Sequence, residues 1–180
     1  VHSGLLYPSE RDPRDFFNAI VELKLENLVD KRNLKIVLRA SGHEDYFESL
    51  IQEAKIDDII FLEPPIPYGE ALKEMIQTDG LLVFQASNSN HQIPAKIYEY
   101  LRARRPIFAL TDAAGDTAGV LNRANINTSV PLDDKDAIKK GLIEFLKLVR
   151  ENKAPLASDE DIFKHSREAR THELAQLLNT

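Results

Sequence analysis

Short apolar stretches alternate with segments of helical period along this chain, and that alternation constrains the fold more than any other feature. Residues 1–6, 35–40 (around Ile36-Val37-Leu38), 59–62, 81–84, 106–110 and 127–130 read as strands. Between them lie helical patterns. Asp12-Pro13 opens the first, with Asp12 as N-cap and Pro13 at the first helical position. Phe16, Ile20 and Leu23, together with Phe17, Val21 and Leu28, give it a buried side. Residues 44–55 place Phe47, Leu50, Ile51 and Ala54 inward; residues 68–77 and 116–123 are shorter helices. Residues 135–149 form a strongly amphipathic helix through Ile138, Leu142, Phe145, Leu146 and Val149. A polar linker, 151–160, contains Pro155 and leads to a last helix over 161–178.

Strands that alternate with helices predict a parallel sheet covered on both sides. Leu81-Leu82-Val83-Phe84, apolar throughout, fits a strand buried on both faces. Right-handed crossovers then make the fold class α/β: a doubly wound parallel sheet of about six strands, order 3-2-1-4-5-6. Ligands of such sheets sit beyond the strand C-termini, where the order reverses between strands 1 and 4. The loops at that point are residues 7–11 and 85–94.

The second of these loops runs into the most informative segment, Pro94 to Leu110. Proline opens a helix, Arg102, Arg104 and Arg105 close it, and a buried strand follows. Lys96 and Glu99 lie three apart on one helical face, in the first turns. There the free N–H groups and the dipole already favour negative charge, so a lysine is locally unfavourable unless an anion docks. Glu99, one turn deeper, suits a ribose or sugar hydroxyl pair. The pattern points to a nucleotide-diphosphate ligand. The three arginines complement the dipole at the helix C-terminus.

The length of 180 residues gives one domain spanning residues 1–180. With 23 basic and 29 acidic residues the net charge is −6, so no overall attraction for nucleic acid is expected, and an anion needs a local basic pocket. No cysteine is present, which excludes disulfides and thiolate metal sites. His2, His43, His165 and His172 show no ligand spacing, and no metal is expected. No apolar run approaches a membrane span and no signal peptide is visible, which fits a cytoplasmic location. The chain opens without methionine on strand-like residues and reads as a piece of a longer protein.

Pro94-Ala95-Lys96-Ile97-Tyr98-Glu99-Tyr100-Leu101, followed by Arg105-Pro106-Ile107, resembles the nucleotide-sugar-binding motif of family-4-type glycosyltransferases. Ser3-Gly4-Leu5-Leu6-Tyr7, Arg11-Asp12-Pro13 and Phe17-Asn18-Ala19 resemble the start of their C-terminal donor domain. Residues 166–178 are similar to their closing helix. Such enzymes have the GT-B fold, two Rossmann-like halves facing a cleft. The resemblance implies a donor-binding half whose N-terminal acceptor domain is absent from this chain. It implies that Glu99 holds the ribose hydroxyls and that Lys96, Arg11 and the N–H groups near Pro94 face the diphosphate. Gly4 would permit close approach of the donor, and the backbone of 62–66 would cradle the base. The nucleotide-diphosphate sugar is then a substrate and no cofactor is needed. Many relatives carry a second glutamate eight residues before Glu99; here that position is His91, in Ser87-Asn88-Ser89-Asn90-His91-Gln92. The expected function is sugar transfer from the donor to an acceptor hydroxyl by the full-length enzyme. This fragment alone would be inactive, and any membrane contact would come through the missing domain. No catalytic residue is assigned.

Plainer roles exist for the same residues. Lys96 and Glu99 also fit an exposed helical pair, Arg11 a partner of Glu10 or Asp12, and Gly4 a packing glycine. A non-catalytic doubly wound interaction or regulatory module is one alternative, although Tyr7-Pro8-Ser9 and Leu62-Glu63-Pro64 lack the acidic cluster of a phosphorylated receiver. Half of a sugar-nucleotide epimerase is another.

Overall fold

The computed structural model describes residues 1–179. The order is β1 (His2–Ser3), α1 (Arg14–Leu25), β2 (Ile36–Arg39), α2 (Glu44–Glu53), β3 (Ile60–Glu63), α3 (Tyr68–Gln77) and β4 (Leu81–Gln85). A 3-10 turn (Ser87–Ser89) leads to α4 (Lys96–Ala103), β5 (Ile107–Thr111), α5 (Asp116–Arg123), β6 (Ser129–Val130), α6 (Lys135–Arg150), α7 (Asp159–Lys164) and α8 (Arg167–Leu178).

Every strand pairing is parallel. Ile36 lies opposite Ile60, and Leu81 opposite Ile107. The ladders form two three-stranded sheets, β1-β2-β3 and β4-β5-β6. They abut at β1 and β4, where Val1 N–H donates to Gly80 C=O and Leu82 N–H to Val1 C=O, both at 2.8 Å. The six strands thus stand side by side as 3-2-1-4-5-6, with a narrow joint in the middle. A parallel ladder would next join Ser3 N–H to Leu82 C=O. Instead Ser3 donates to the Tyr100 hydroxyl at 3.0 Å, and the Leu82 carbonyl accepts from the His2 ring at 2.9 Å. Side chains therefore end the joint after one residue, and the sheet opens at the reversal point.

Alternate residues of β4 and β5 feed two cores, as the two-residue period requires. Leu82, Phe84, Phe108 and Leu110 join Phe16, Phe47, Ile138 and Phe145 on the α1/α2/α6 side. Leu81, Val83, Ile107 and Ala109 join Met75, Ile97, Tyr100 and Val120 on the α3/α4/α5 side.

Several local readings shift. The first strand, read over 1–6, is only His2–Ser3, and the sixth, read over 127–130, only Ser129–Val130. Pro13, not Asp12, is the N-cap of α1; Asp12 still caps in effect, its carboxylate accepting the Arg14 N–H at 3.0 Å. Leu28 is 47% exposed, because the helix has ended at Leu25 and its period no longer applies. The single terminal helix over 161–178 is two. Ser158 and Asp161 form a capping box that opens α7, and Ser166 opens α8 by accepting the Ala169 N–H at 3.1 Å. No helix among the described residues is long and apolar enough to cross a membrane.

Candidate functional site

The two loops at the reversal point are tied together. Ala86 N–H donates to Glu10 C=O at 2.9 Å, and the Asn88 amide to Ser9 C=O at 3.2 Å. Beyond them the loop before α4 is held from within. The buried Gln85 amide donates to Ser89 C=O at 2.8 Å, and the Thr117 hydroxyl to Gln92 C=O at 3.2 Å. Asn90 donates to Asp112 at 2.7 Å, which with the Ala114 N–H lowers the Asp112 pKa. This bracing sets where α4 begins. Pro94 C=O accepts the Ile97 N–H, so the chain turns helical directly after the proline, and no side chain caps the helix start.

Lys96 is the first residue of α4 and folds back over β1. Gly4, at φ +106°, makes room: a Cβ there would lie 3.1 Å from the Lys96 amine. The amine lies 3.1 Å from Nε2 of His2, which is completely buried. The Leu82 carbonyl can only accept, so His2 Nδ1 carries the ring proton and Nε2 presents a lone pair to Lys96. Burial, then the Lys96 charge, pushes the His2 pKa well below its ordinary value. Burial, then the Arg11 charge, lowers Lys96 to about 7, with Glu99 opposing.

Arg11 approaches from the loop after β1. It donates to Leu5 C=O at 3.0 Å, lies 5.7 Å over the Tyr7 ring, and keeps a buried Nε without a partner. Among the described residues, neither Arg11 nor Lys96 has a carboxylate within ion-pair distance. Glu99, one turn along α4, accepts from the Tyr68 hydroxyl of α3 at 3.0 Å. That bond raises the Tyr68 pKa. His91 is fully exposed, 4.0 Å from Asp116, and stands apart from this group. Arg39 binds Glu74 through two nitrogens at 2.6 and 3.1 Å and the Pro64 carbonyl at 2.9 Å, so it anchors the loop after β3.

The structure therefore brings Gly4, Arg11, Lys96 and Glu99 to one edge, with Pro94 setting the helix start, and leaves His91 outside. Arg104 and Arg105 are tethers: Arg104 pairs with Asp159, and Arg105 donates to Ile76 C=O. Sequence reasoning missed His2, Tyr68 and the polar role of Tyr100. For His2 the signal is an aromatic polar ring in a first strand that leads into the buried Leu6. A cleft of about 640 Å³ lies nearby, but Asp12, Asp15, Asp112 and Asp133 line it. Arg14 in the same wall is paired with Asp12, so Asp15, Asp112 and Asp133 leave this cleft acidic, whereas Lys96 and Arg11 give the neighbouring edge its positive charge. A further cavity of about 190 Å³, lined by Phe16, Leu82, Phe108 and Phe145 among others, is a gap between α6 and the strands, away from these groups. No cluster of three or more His, Cys, Asp or Glu among the described residues is placed to hold a metal ion.

No family model matches the chain, and no curated protein matches it by sequence. Solved structures match it in fold. WaaG, a glycosyltransferase involved in lipopolysaccharide biosynthesis, gives a TM-score of 0.65 at 16% identity over 89% of this chain and 41% of that one. The pneumococcal O-GlcNAc transferase GtfA, solved in complex with UDP and GlcNAc, gives 0.62 at 16% identity over 99% and 36%. Sucrose-phosphate synthase from Thermosynechococcus elongatus gives 0.67 at 14% identity over 99% and 44%. The chain thus has the Rossmann-like fold of one half of a GT-B protein and spans less than half the length of each of these structures.

Proposed function

We propose that this chain is the donor-binding half of a glycosyltransferase that moves a sugar from a nucleotide-diphosphate donor to an acceptor hydroxyl. One observation carries the reading: Lys96 lies against Gly4 at the helix start where the strand order reverses, within the electrostatic reach of Arg11, and among the described residues neither cation has a carboxylate within ion-pair distance. Two cations held together, one of them partly buried, repel each other, and a diphosphate between them relieves that repulsion. The uncapped α4 N-terminus adds N–H donors and a favourable dipole.

In this reading Lys96 and Arg11 grip the diphosphate. As the sugar–phosphate bond breaks, negative charge grows on the departing diphosphate, and these cations, engaged with it in the complex, stabilise it. Glu99, held in place by Tyr68, accepts the ribose hydroxyls. The loop anchored by Arg39 presents backbone to the base. The acceptor site, any catalytic base and any membrane contact belong to a partner domain, so the chain alone binds without turning over. Cytoplasmic residence is part of the same reading.

Calorimetric titration with UDP, GDP and ADP tests this, repeated on Lys96→Ala and Glu99→Ala. At least one nucleotide is expected to bind. Each variant should weaken it roughly 10- to 100-fold, the loss of one charge-assisted contact. Absence of binding by all three nucleotides, or variants that bind like the parent, overturns the assignment.

A further inference from the structure

We propose that His2 and Lys96 form a proton-loading pair: His2 parks the Lys96 amine against Gly4 in the empty site, and diphosphate binding draws the amine out and charges it. The inference rests on the donor-site reading and adds a positioning residue and a pH dependence to it.

The geometry comes first. The His2 ring is fixed by its bond to Leu82 C=O, so its Nε2 lone pair has one direction, toward Lys96. A lone pair on an uncharged ring binds a neutral amine or an ammonium, and provides no counter-charge for the latter. The groups facing Lys96 are His2 of β1, Arg11 of the following loop, and Glu99 of its own helix, whose carboxylate is engaged by Tyr68 of α3. Arg11 also acts on His2. Burial strips water from the amine and Arg11 adds a like charge, while Glu99 opposes them; a cation there is unfavourable, and the Lys96 pKa is lowered to about 7. A diphosphate reverses the balance. The amine takes one proton from the buffer, becomes an ammonium, and the complex carries that proton.

Linkage fixes the sign. If the bound state holds a proton that the free state lacks, affinity falls as pH rises above about 7, by up to tenfold per unit. Titrating the chain with UDP, GDP and ADP from pH 6.5 to 9, in buffers of different ionisation heat, should show that fall and an uptake near one proton per site at pH 8. Lys96→Arg keeps its charge throughout this range and should bind with flat pH dependence. His2→Asn retains a donor for Leu82 and loses the lone pair for Lys96. Its freed amine should titrate higher and move the affinity midpoint up by a unit or more, whereas a purely structural role would change affinity without moving the midpoint. Without any variant, NMR of the Lys96 side chain should give a midpoint near 7 in the free chain and a clearly higher one with saturating nucleotide. Tight binding with no pH dependence and no proton uptake overturns the pair and leaves the donor site standing. Absence of binding at every pH overturns both.

Discussion

The Tyr100 hydroxyl accepts the Ser3 N–H at 3.0 Å, where a ladder bond between β1 and β4 would otherwise run. Tyr100 is fully buried, and burial raises its pKa above the usual phenol range, so the group stays neutral. One side chain of α4 thus substitutes for a strand neighbour and fixes the helix that carries Lys96 and Glu99. Tyr100→Phe keeps the ring and leaves the Ser3 N–H without that partner. It should cost about 1–3 kcal/mol in urea unfolding. An unchanged midpoint would show that Ser3 finds another partner.

Gly4→Ala acts twice. The φ of +106° disfavours any side chain, and the new methyl would press on the Lys96 amine at 3.1 Å. A loss of about 1–3 kcal/mol in stability is expected from the backbone alone. Nucleotide affinity should fall as well, and titration of the folded variant separates the two effects.

Acid should destabilise the fold through His2. The unfolded histidine takes a proton below about pH 6.5, while the buried ring resists it. The unfolded chain then binds more protons, so stability is lost as pH falls through 6.5 toward the folded value. Denaturation at pH 7 and pH 5 should differ by up to about 1.4 kcal/mol per unit and per proton. His2→Asn should flatten the segment below 6.5, and an equal slope in parent and variant would contradict the assignment.

Arg39→Met should be among the more damaging substitutions. The Arg39 side chain is 12% exposed and joins β2 to Glu74 of α3 and to the loop at Pro64. Removing it strands a partly buried carboxylate and a carbonyl, a loss of about 2–4 kcal/mol. Thermal melting measures it. Glu74→Gln should recover part of that loss in the double variant.

Much of the fold is legible in the sequence. Tyr68–Gln77 and Asp116–Arg123 are helices over the spans read from their pattern. Leu81-Leu82-Val83-Phe84 is buried on both faces, as its unbroken apolar character implies. Local chemistry carries these features, so they need no partner to be seen. The closing helix was misread because Ser166 is an N-cap only once the chain has stopped at His165, and a helical period cannot register that break. The site was half legible. Lys96 and Glu99 stand out by spacing, and Gly4 only through the family resemblance. His2, Tyr68 and Tyr100 do not, since their roles are contacts across 94, 31 and 97 residues of chain.

By itself the sequence determined the alternation of strands and helices, the two-sided burial of β4 and the helix start at Pro94, because each follows from neighbours along the chain. Tertiary structure alone decided that the joint between β1 and β4 ends after Val1, that a histidine ring faces the Lys96 amine, and that Arg11 reaches the same edge. Periodicity specifies which face of an element is buried. What that face meets is set by packing, and the charge state of Lys96 follows from that packing.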